Sequence, residues 1–308
     1  MINRILIRIK VLQTIYSYYQ NESNDFNAVE KELLFSLRKT YDLYVYFLLL
    51  ITAVTHQHER TIEARKSKLR PTSDDLNPNT RLVNNRFASQ IDQNKSLLKY
   101  ASEQSLSWTP EIDFVKQTLN RILNSEIYAN YLQNEEDNYE TDKAFWIAIF
   151  KDLICGNEDI EDYLENRSIY WNDDIEIVQT FVLKTLKKLE EKDGNNYVIF
   201  PMYKNMEDKE FAIQLLRKSI LNGASYRERI DNKIKNWDTE RIAMIDLQIM
   251  QVALAEIMTF PSIPIRVSLN EYIDLAKYYS TPKSGNFING ILDSVVSELK
   301  KEQLLLKN

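Results

Sequence analysis

The sequence predicts an all-α protein, from its few turn residues and its helical periodicity. The chain has five glycines and seven prolines in 308 residues, whereas turn-rich β architectures need far more of both. Apolar residues recur at steps of three and four along most of the chain, as they do on one face of a helix. With 44% hydrophobic and 27% charged residues, the composition is sufficient for a core and typical of a soluble protein. The segment YVIF, residues 197–200, is the only plausible strand.

Charge and cysteine content narrow the class of protein. A net charge of −6 and a pI of about 5.3 do not suggest a general nucleic-acid coat protein, although a local basic patch can still bind RNA. Cys155 has no partner for an intramolecular disulfide, which favours a reducing compartment. The longest apolar run, residues 44–54, is too short to span a bilayer and is interpreted as a buried helix. Because no signal peptide is evident, we expect a cytoplasmic protein with no membrane contact.

The N-terminal region, residues 1–205, is predicted to be a helical domain. Its first helix, residues 4–20, has an apolar face made by Ile5, Ile9, Leu12, Tyr16 and Tyr19. Further helices are predicted at 27–58, 84–106, 111–134 and 173–191, with an acidic segment at 135–165 and a linker at 192–203.

Residues 206–308 are predicted to form a second helical domain. The helix from Asp238 or Thr239 to residue 259 is apolar nearly all round, so we expect it to be central. Ser268 and Glu271 have the spacing of a capping box at the start of the next helix.

Three basic residues at the start of the first helix are candidates for binding phosphate. Arg4, Arg8 and Lys10 precede every acidic residue of the chain, the first of which is Glu22. Cations at a helix N-terminus oppose the helix dipole and cost stability. A phosphate partner would explain that cost, and simple solubility is the alternative.

The motifs of common enzymes and metal sites are absent from the sequence. Gly285 and Gly290 have the spacing of a Walker A loop, but Ile291 and Leu292 follow instead of lysine and serine or threonine. The G-x-G-x-x-G fingerprint of dinucleotide-binding folds does not occur. The two histidines are two residues apart, which places them on different sides of a helix, so a zinc site is not expected. We therefore predict a binding protein, not an enzyme, with no cofactor and no metal.

Four segments resemble the NusB family of transcription antitermination factors. They are RIKVLQTIYSYYQ near the N-terminus, ERIAMIDLQIMQVALAEIM, SIPIRVSLNEYIDLAKYYS and KSGNFINGILD. The resemblance covers residues 1–20 and about 207–300. Residues 21–205 would then hold the family's remaining N-terminal helices together with a large helical expansion.

The resemblance implies two packed helical bundles that bind RNA together with a protein partner. That partner is NusE, a ribosomal protein of the small subunit, and the RNA is the boxA element of ribosomal RNA leaders, within the antitermination complex of RNA polymerase. Asn286 and Phe287 at the start of the last helix would then face RNA, together with Tyr16 of the first helix. Lys283 stands where relatives tend to carry an acid, and would attract phosphate. Asp246 and Glu256 of the central helix are candidates to meet basic residues of NusE.

Each of these assignments has a structural alternative. Phe287 and Tyr16 would otherwise belong to the core, Asp246 and Glu256 would be solvated or serve as internal caps, and Lys283 would only solvate a turn. For the whole protein, the alternatives are a helical scaffold or ribosome-assembly factor without sequence-specific RNA binding, and a helical accessory part of an rRNA methyltransferase. The methyltransferase needs a Gly-rich methyl-donor domain, which this chain lacks.

Overall fold

The computed structural model describes residues 1–21, 25–234 and 242–305, and these residues form an all-α protein. Their only β contact is an isolated bridge between Ile2 and Tyr203. Residues 197–200, the one plausible strand, do not form a strand. The predicted all-α fold class is therefore confirmed, and the one possible strand is not observed.

The α-helices are numbered in chain order. They are α1 Arg4–Gln20, α2 Phe26–Lys66, α3 Ser73–Leu76, α4 Arg86–Asp92, α5 Lys95–Glu103, α6 Ile112–Leu123, α7 Glu126–Gln133, α8 Tyr139–Ile149, α9 Glu158–Arg167, α10 Ile175–Lys188, α11 Met206–Leu221, α12 Gly223–Ile234, α13 Met244–Thr259, α14 Ile265–Tyr279 and α15 Ser284–Lys301. Short 3₁₀ segments at Thr109–Glu111, Ile169–Trp171 and Glu191–Asn196 and a π turn at Phe150–Ile154 connect some of them.

Asparagine marks the start of many of these helices. An N-cap side-chain oxygen accepts from an N–H of the first helical turn that has no partner within the helix. Helices α1, α4, α5, α8, α9 and α11 begin in this way, at Asn3, Asn85, Asn94, Asn138, Asn157 and Asn205. Asparagine side chains thus mark the helix starts in a chain that has few glycines and prolines to separate its helices.

The chain divides into two compact units. The first unit contains Met1 and Arg38–Met202, and the second contains Ile2–Leu37 together with the chain from Tyr203 onward. The predicted boundary between residues 205 and 206 lies close to the division at 202, but the units are not continuous along the sequence. Helix α1 belongs with the C-terminal helices because it packs on α11 and α13.

The first unit has an aromatic core. The rings of Tyr46 and Trp108 stack with centroids 3.9 Å apart, and Trp108 Nε1 donates to the Tyr46 carbonyl at 2.8 Å. The apolar run at 44–54 lies inside α2 and is largely buried, as its interpretation as a buried helix requires. Across the described parts of the chain, no helix combines the length and the apolar character needed to cross a membrane.

Helix α13 is the centre of the second unit. Its residues from Leu247 to Ile257 are all buried, and α1, α11, α12, α14 and α15 pack around it. The predicted central position is therefore observed. The predicted N-cap at Asp238 or Thr239 lies outside the described residues, and the described helix begins at Met244 with Ala243 at the N-cap position.

Candidate functional site

A buried polar cluster surrounds Glu256 near the end of α13. Arg8 of α1 donates to both carboxylate oxygens, from Nε at 2.8 Å and from Nη2 at 2.9 Å. Ser268 Oγ and Tyr272 OH of α14 donate to the same two oxygens, at 2.8 and 2.9 Å. Each oxygen of Glu256 therefore accepts two hydrogen bonds, and the cluster connects three helices of the second unit.

The charges in this cluster are matched within the fold. Arg8 is only 3% exposed, and its Nη1 also donates to Glu271 at 3.0 Å. Burial by itself lowers the pKa of the Arg8 guanidinium, but the hydrogen bonds and charge of Glu256 outweigh burial and raise that pKa. Burial also raises the pKa of the Tyr272 phenol well above its ordinary value. A bidentate guanidinium–carboxylate pair of this kind is among the strongest hydrogen-bonded pairs in proteins.

This cluster corrects the predicted roles of Arg8 and Glu256. Arg8 was expected to face RNA and Glu256 to face a basic partner, but they bind each other. The reason is helical spacing: Arg8 lies one turn before Leu12 and two turns before Ile15, both of which are buried. Their shared face points at α13, where Glu256 neutralises the charge.

The predicted capping box is also corrected. Helix α14 begins at Ile265 with Pro264 at the N-cap position, so Ser268 and Glu271 lie inside the helix. Their polar groups are used by the cluster, where Ser268 donates to Glu256 and Glu271 accepts from Arg8.

Lys10 and Asp246 are buried as well, at 2% and 5% exposure. Asp246 Oδ2 accepts from Ser284 Oγ at 2.9 Å, so the first turn of α13 fixes the first residue of α15. A buried side chain cannot present its charge to RNA or to a protein surface. The expectations that Lys10 contacts RNA and that Asp246 contacts NusE are therefore corrected.

Arg4 lies at the opposite end of α1 from Tyr16, about 18 Å away along the helix axis at 1.5 Å per residue. Its Nε is 3.8 Å from an oxygen of Asp208, and its guanidinium lies 5.0 Å from the centre of the Phe211 ring. Arg4 therefore lies near Arg8, which is 5.8 Å from the same ring, and at the far end of α1 from Tyr16.

Tyr16 is on the surface, near the start of α13. The residue is 40% exposed, and its hydroxyl accepts a hydrogen bond from Gln20 Nε2 at 3.1 Å. The same nitrogen lies 3.4 Å from Met244 Sδ in the first turn of α13. Asp246 belongs to that turn and holds the start of α15, so one helical turn contacts both elements that carry the predicted RNA-binding residues.

The start of α15 presents the remaining candidates. Lys283 and Asn286 are exposed and Phe287 is half-buried. Within the described residues, no acidic side chain forms an ion pair with Lys283. A Cβ on Gly285 would lie 3.4 Å from Lys277 Cγ, so this glycine lets α15 pack closely on α14, whereas Gly290 has no neighbour within 4 Å of a Cβ.

Sequence reasoning missed two residues that extend this surface. Gln13 Nε2 of α1 lies 3.4 Å from the Tyr279 hydroxyl at the end of α14. Tyr278 beside it is 67% exposed, with its ring centre 5.0 Å from that of Tyr279. Both Gln13 and Tyr278 lie within segments whose family resemblance was recognised, which was the available signal. The exposed residues Tyr16, Tyr278, Lys283 and Asn286 and the half-buried Phe287 are called the RNA face, after the role that the sequence predicts for most of them.

The arrangement of side chains suits binding and not metal chemistry. Nowhere in residues 1–21, 25–234 and 242–305 do three or more His, Cys, Asp or Glu side chains come together as metal ligands. The RNA face instead combines aromatic rings, an amide and a cation, which are the groups that stack on bases and pair with phosphates.

Comparisons with known proteins identify relatives of the C-terminal part of the chain, from the end of the first unit into the second. Residues 177–297 match the profile of the NusB family. The transcription antitermination protein NusB of Salinibacter ruber is 34% identical over 132 residues, which are 41% of this chain and 82% of that protein. The protein of the same name from Natranaerobius thermophilus is 37% identical over 97 residues, which are 32% of this chain and 70% of that protein. Among solved structures, T. maritima NusB is 24% identical and covers 51% of this chain and 90% of its own, with a TM-score of 0.29 that is too low to carry an argument.

The matched relatives are aligned over most of their own length with well under half of this chain. Residues 1–20 lie outside the span matched by the family profile, so the resemblance of the first helix to the family stays a prediction. The size difference agrees with the expected helical expansion. The chain belongs to the NusB family, in an expanded form.

Proposed function

We propose that the protein is a non-enzymatic RNA-binding factor in transcription antitermination and rRNA synthesis, which acts with NusE on a boxA-like RNA. Membership of the NusB family supports the general role, since the matched relatives are named transcription antitermination proteins. The observation that carries the proposal is the RNA face, where Tyr278 and Lys283 are exposed beside the first turn of α15.

Each member of the RNA face has a chemical role in this proposal. The rings of Tyr16, Tyr278 and Phe287 offer stacking surfaces, each of which contributes about 1–3 kcal/mol per base in single-strand binding. Lys283 neutralises a phosphate. The Asn286 amide both donates and accepts hydrogen bonds, and it lies in the first turn of α15, where the helix dipole favours anions.

The burial of Asp246 and Glu256 changes how the protein partner would dock. Neither acid is available to basic residues of NusE, so both act indirectly in this proposal. Asp246 holds the start of α15 through Ser284, and Glu256 holds α1 through Arg8. NusE then contacts other side chains of the second unit, within the RNA polymerase antitermination complex.

A second candidate function is a helical scaffold in ribosome assembly without sequence-specific RNA binding. The burial of Arg8 and Lys10 favours it, because these were two of the three cations expected from the first helix. Fewer surface cations mean fewer phosphate contacts and weaker general binding of RNA.

Fluorescence anisotropy with a boxA-like RNA and a scrambled RNA, with and without NusE, tests the proposal. We expect tighter binding of the boxA-like RNA, and a loss of about 5- to 150-fold for Tyr278→Ala, as for one stacked base. Ile169→Ala is the control. It truncates a large apolar side chain that is 79% exposed but that lies in the first unit and outside the RNA face. Equal affinity for both RNAs, with NusE still bound, would favour the scaffold.

A further inference from the structure

An open cavity of about 400 Å³ lies at the surface of the second unit, beside the RNA face. It is lined by the last turn of α1, the end of α11, the start of α12 and the first two turns of α13. The residues used below are Tyr18, Tyr19, Gly223, Arg227, Gln248 and Gln251. Its volume is within the range of cavities that hold small organic ligands, and its wall combines apolar side chains with a few polar groups, as such cavities usually do.

One wall of the cavity is built by a hydrogen-bonded pair and a glycine. Gln251 Nε2 donates to the Tyr19 hydroxyl and to the Ser219 carbonyl, both at 2.7 Å. A Cβ on Gly223 would lie 2.7 Å from that hydroxyl and 2.8 Å from that nitrogen. Gly223 therefore leaves the space in which Tyr19 and Gln251 meet.

Gln248 borders the same cavity, and its amide is unsatisfied. The residue is only 3% exposed, and none of the described residues hydrogen-bonds its Nε2 or its Oε1. Buried polar groups are nearly always paired, so such a group needs an explanation. Gln251, one turn further along α13, is paired, so the two neighbouring glutamines differ.

A donor and an acceptor on one planar group match the edge of a nucleobase. Glutamine pairs in this way with N6 and N7 of adenine. Tyr18 is half-buried at the cavity, with its ring centre 5.2 Å from that of Tyr19, and offers a surface for stacking. Arg227 at the rim is exposed and pairs with Asp231 at 2.8 Å, which leaves part of its guanidinium available to a phosphate.

The cavity is continuous with the RNA face. Gln20 contacts the Tyr16 hydroxyl on one side and Met244 on the other, and Met244 also lines the cavity. A strand of RNA that crosses Tyr16 therefore passes the opening.

We propose that this cavity is a subsite for one unpaired adenine of the bound RNA, recognised by the Gln248 amide and stacked on Tyr18. The proposal rests on the proposed RNA-binding function and adds a base-specific position to it. Both polar atoms of the Gln248 amide are buried in the unbound chain, so the side chain must turn towards the cavity when the base binds.

Two measurements on the full chain test the subsite. In the first, each adenine of the boxA-like RNA is replaced in turn by uridine, and affinity is measured for the parent and for Gln248→Leu. We expect one position at which replacement weakens binding to the parent by about 5- to 150-fold, as for one bidentate amide–base pair, and has no effect on Gln248→Leu. Gln214→Leu, at an exposed glutamine of α11, is the matched control and should behave as the parent.

The second measurement uses adenosine monophosphate alone, detected by ligand-observed NMR. We expect binding to the parent that is lost in Gln248→Leu and weakened in Tyr18→Ala, with both variants folded by circular dichroism. Binding of the nucleotide without any preference among RNAs would contradict the proposed function but support the subsite. Specific RNA binding in which no adenine position depends on Gln248 would overturn the subsite and leave the proposed function standing.

Discussion

Two buried polar side chains of helix α13, one near each end, differ in whether they have hydrogen-bond partners. Glu256 near the C-terminal end accepts four hydrogen bonds from Arg8, Ser268 and Tyr272. Gln248, two turns earlier and equally buried, receives none from any part of the chain that the structure describes. The first arrangement contributes to folding, because its partners belong to the same chain. The unpaired amide of Gln248 lowers the stability of the folded chain, and its burial is explained if a ligand supplies the partner.

The largest expected effect is at the Glu256 end. Arg8→Met should lower the free energy of unfolding of the second unit by about 3–5 kcal/mol, because it leaves a buried carboxylate without its partner. Urea unfolding, followed by circular dichroism at 222 nm as a measure of helix content, gives the loss of stability. Arg4→Met, at a partly exposed and longer ion pair, is the control and should cost at most about 1 kcal/mol.

The double variant Arg8→Met/Glu256→Leu sharpens this test. It removes both charges, so it should recover much of the stability that Arg8→Met loses, since an apolar pair often replaces a buried ion pair at little cost. A double variant that is no more stable than the single one would contradict this account of the cluster.

Two neighbouring glutamines of α13 should respond with opposite signs. Gln248→Leu is expected to leave the free energy of unfolding unchanged or raise it by about 1 kcal/mol, because it removes an unsatisfied buried amide. Gln251→Leu is expected to lower it by about 1–2 kcal/mol, because Tyr19 and the Ser219 carbonyl lose their donor. Thermal and urea unfolding of both variants measure the difference. A destabilised Gln248→Leu would mean that the amide has a partner in the folded chain.

A pair of glycine substitutions tests the cavity wall. Gly223→Ala should lower the free energy of unfolding by about 1 kcal/mol, because overpacking against Tyr19 and Gln251 outweighs the gain in helix propensity. Gly290→Ala, where no atom lies within 4 Å of the added Cβ, should raise it by about 0.5–1 kcal/mol. Equal shifts for the two variants in urea unfolding would show that the wall tolerates a methyl group.

The smallest effect on folding is expected at Lys283, an exposed residue just before α15. Lys283→Asp should change stability by less than about 0.5 kcal/mol but weaken RNA binding across sequences. It should also reduce the salt dependence of affinity by a slope of about 0.7, as for one phosphate contact on a single strand. Anisotropy titrations at several salt concentrations measure the slope. Lys99→Asp, at a lysine of the first unit whose side chain is 77% exposed, is the control, and an identical slope for parent and Lys283→Asp would contradict the assigned role.

Composition and periodicity were sufficient to predict the all-α fold, the buried run in α2 and the central position of α13. They were not sufficient to place charges. Arg8 and Glu256 are 248 residues apart, and periodicity does not show that a charge at the edge of an apolar face has a distant partner. Gln248 gave no signal at all, because its lack of a partner is a property of the folded surroundings and not of its own helix.

The discontinuous second unit has a consequence for the order of synthesis. Helix α1 is made before the groups that pair with it, which are α11 and Glu256 of α13. Ribosomes add about 5–20 residues per second, so on the order of 10–50 s pass between the synthesis of Arg8 and that of Glu256. During that interval the residues of the first unit, from Arg38 to Met202, are completed as one continuous stretch. The apolar face of α1 is thus made long before α11 and α13, the helices on which it packs.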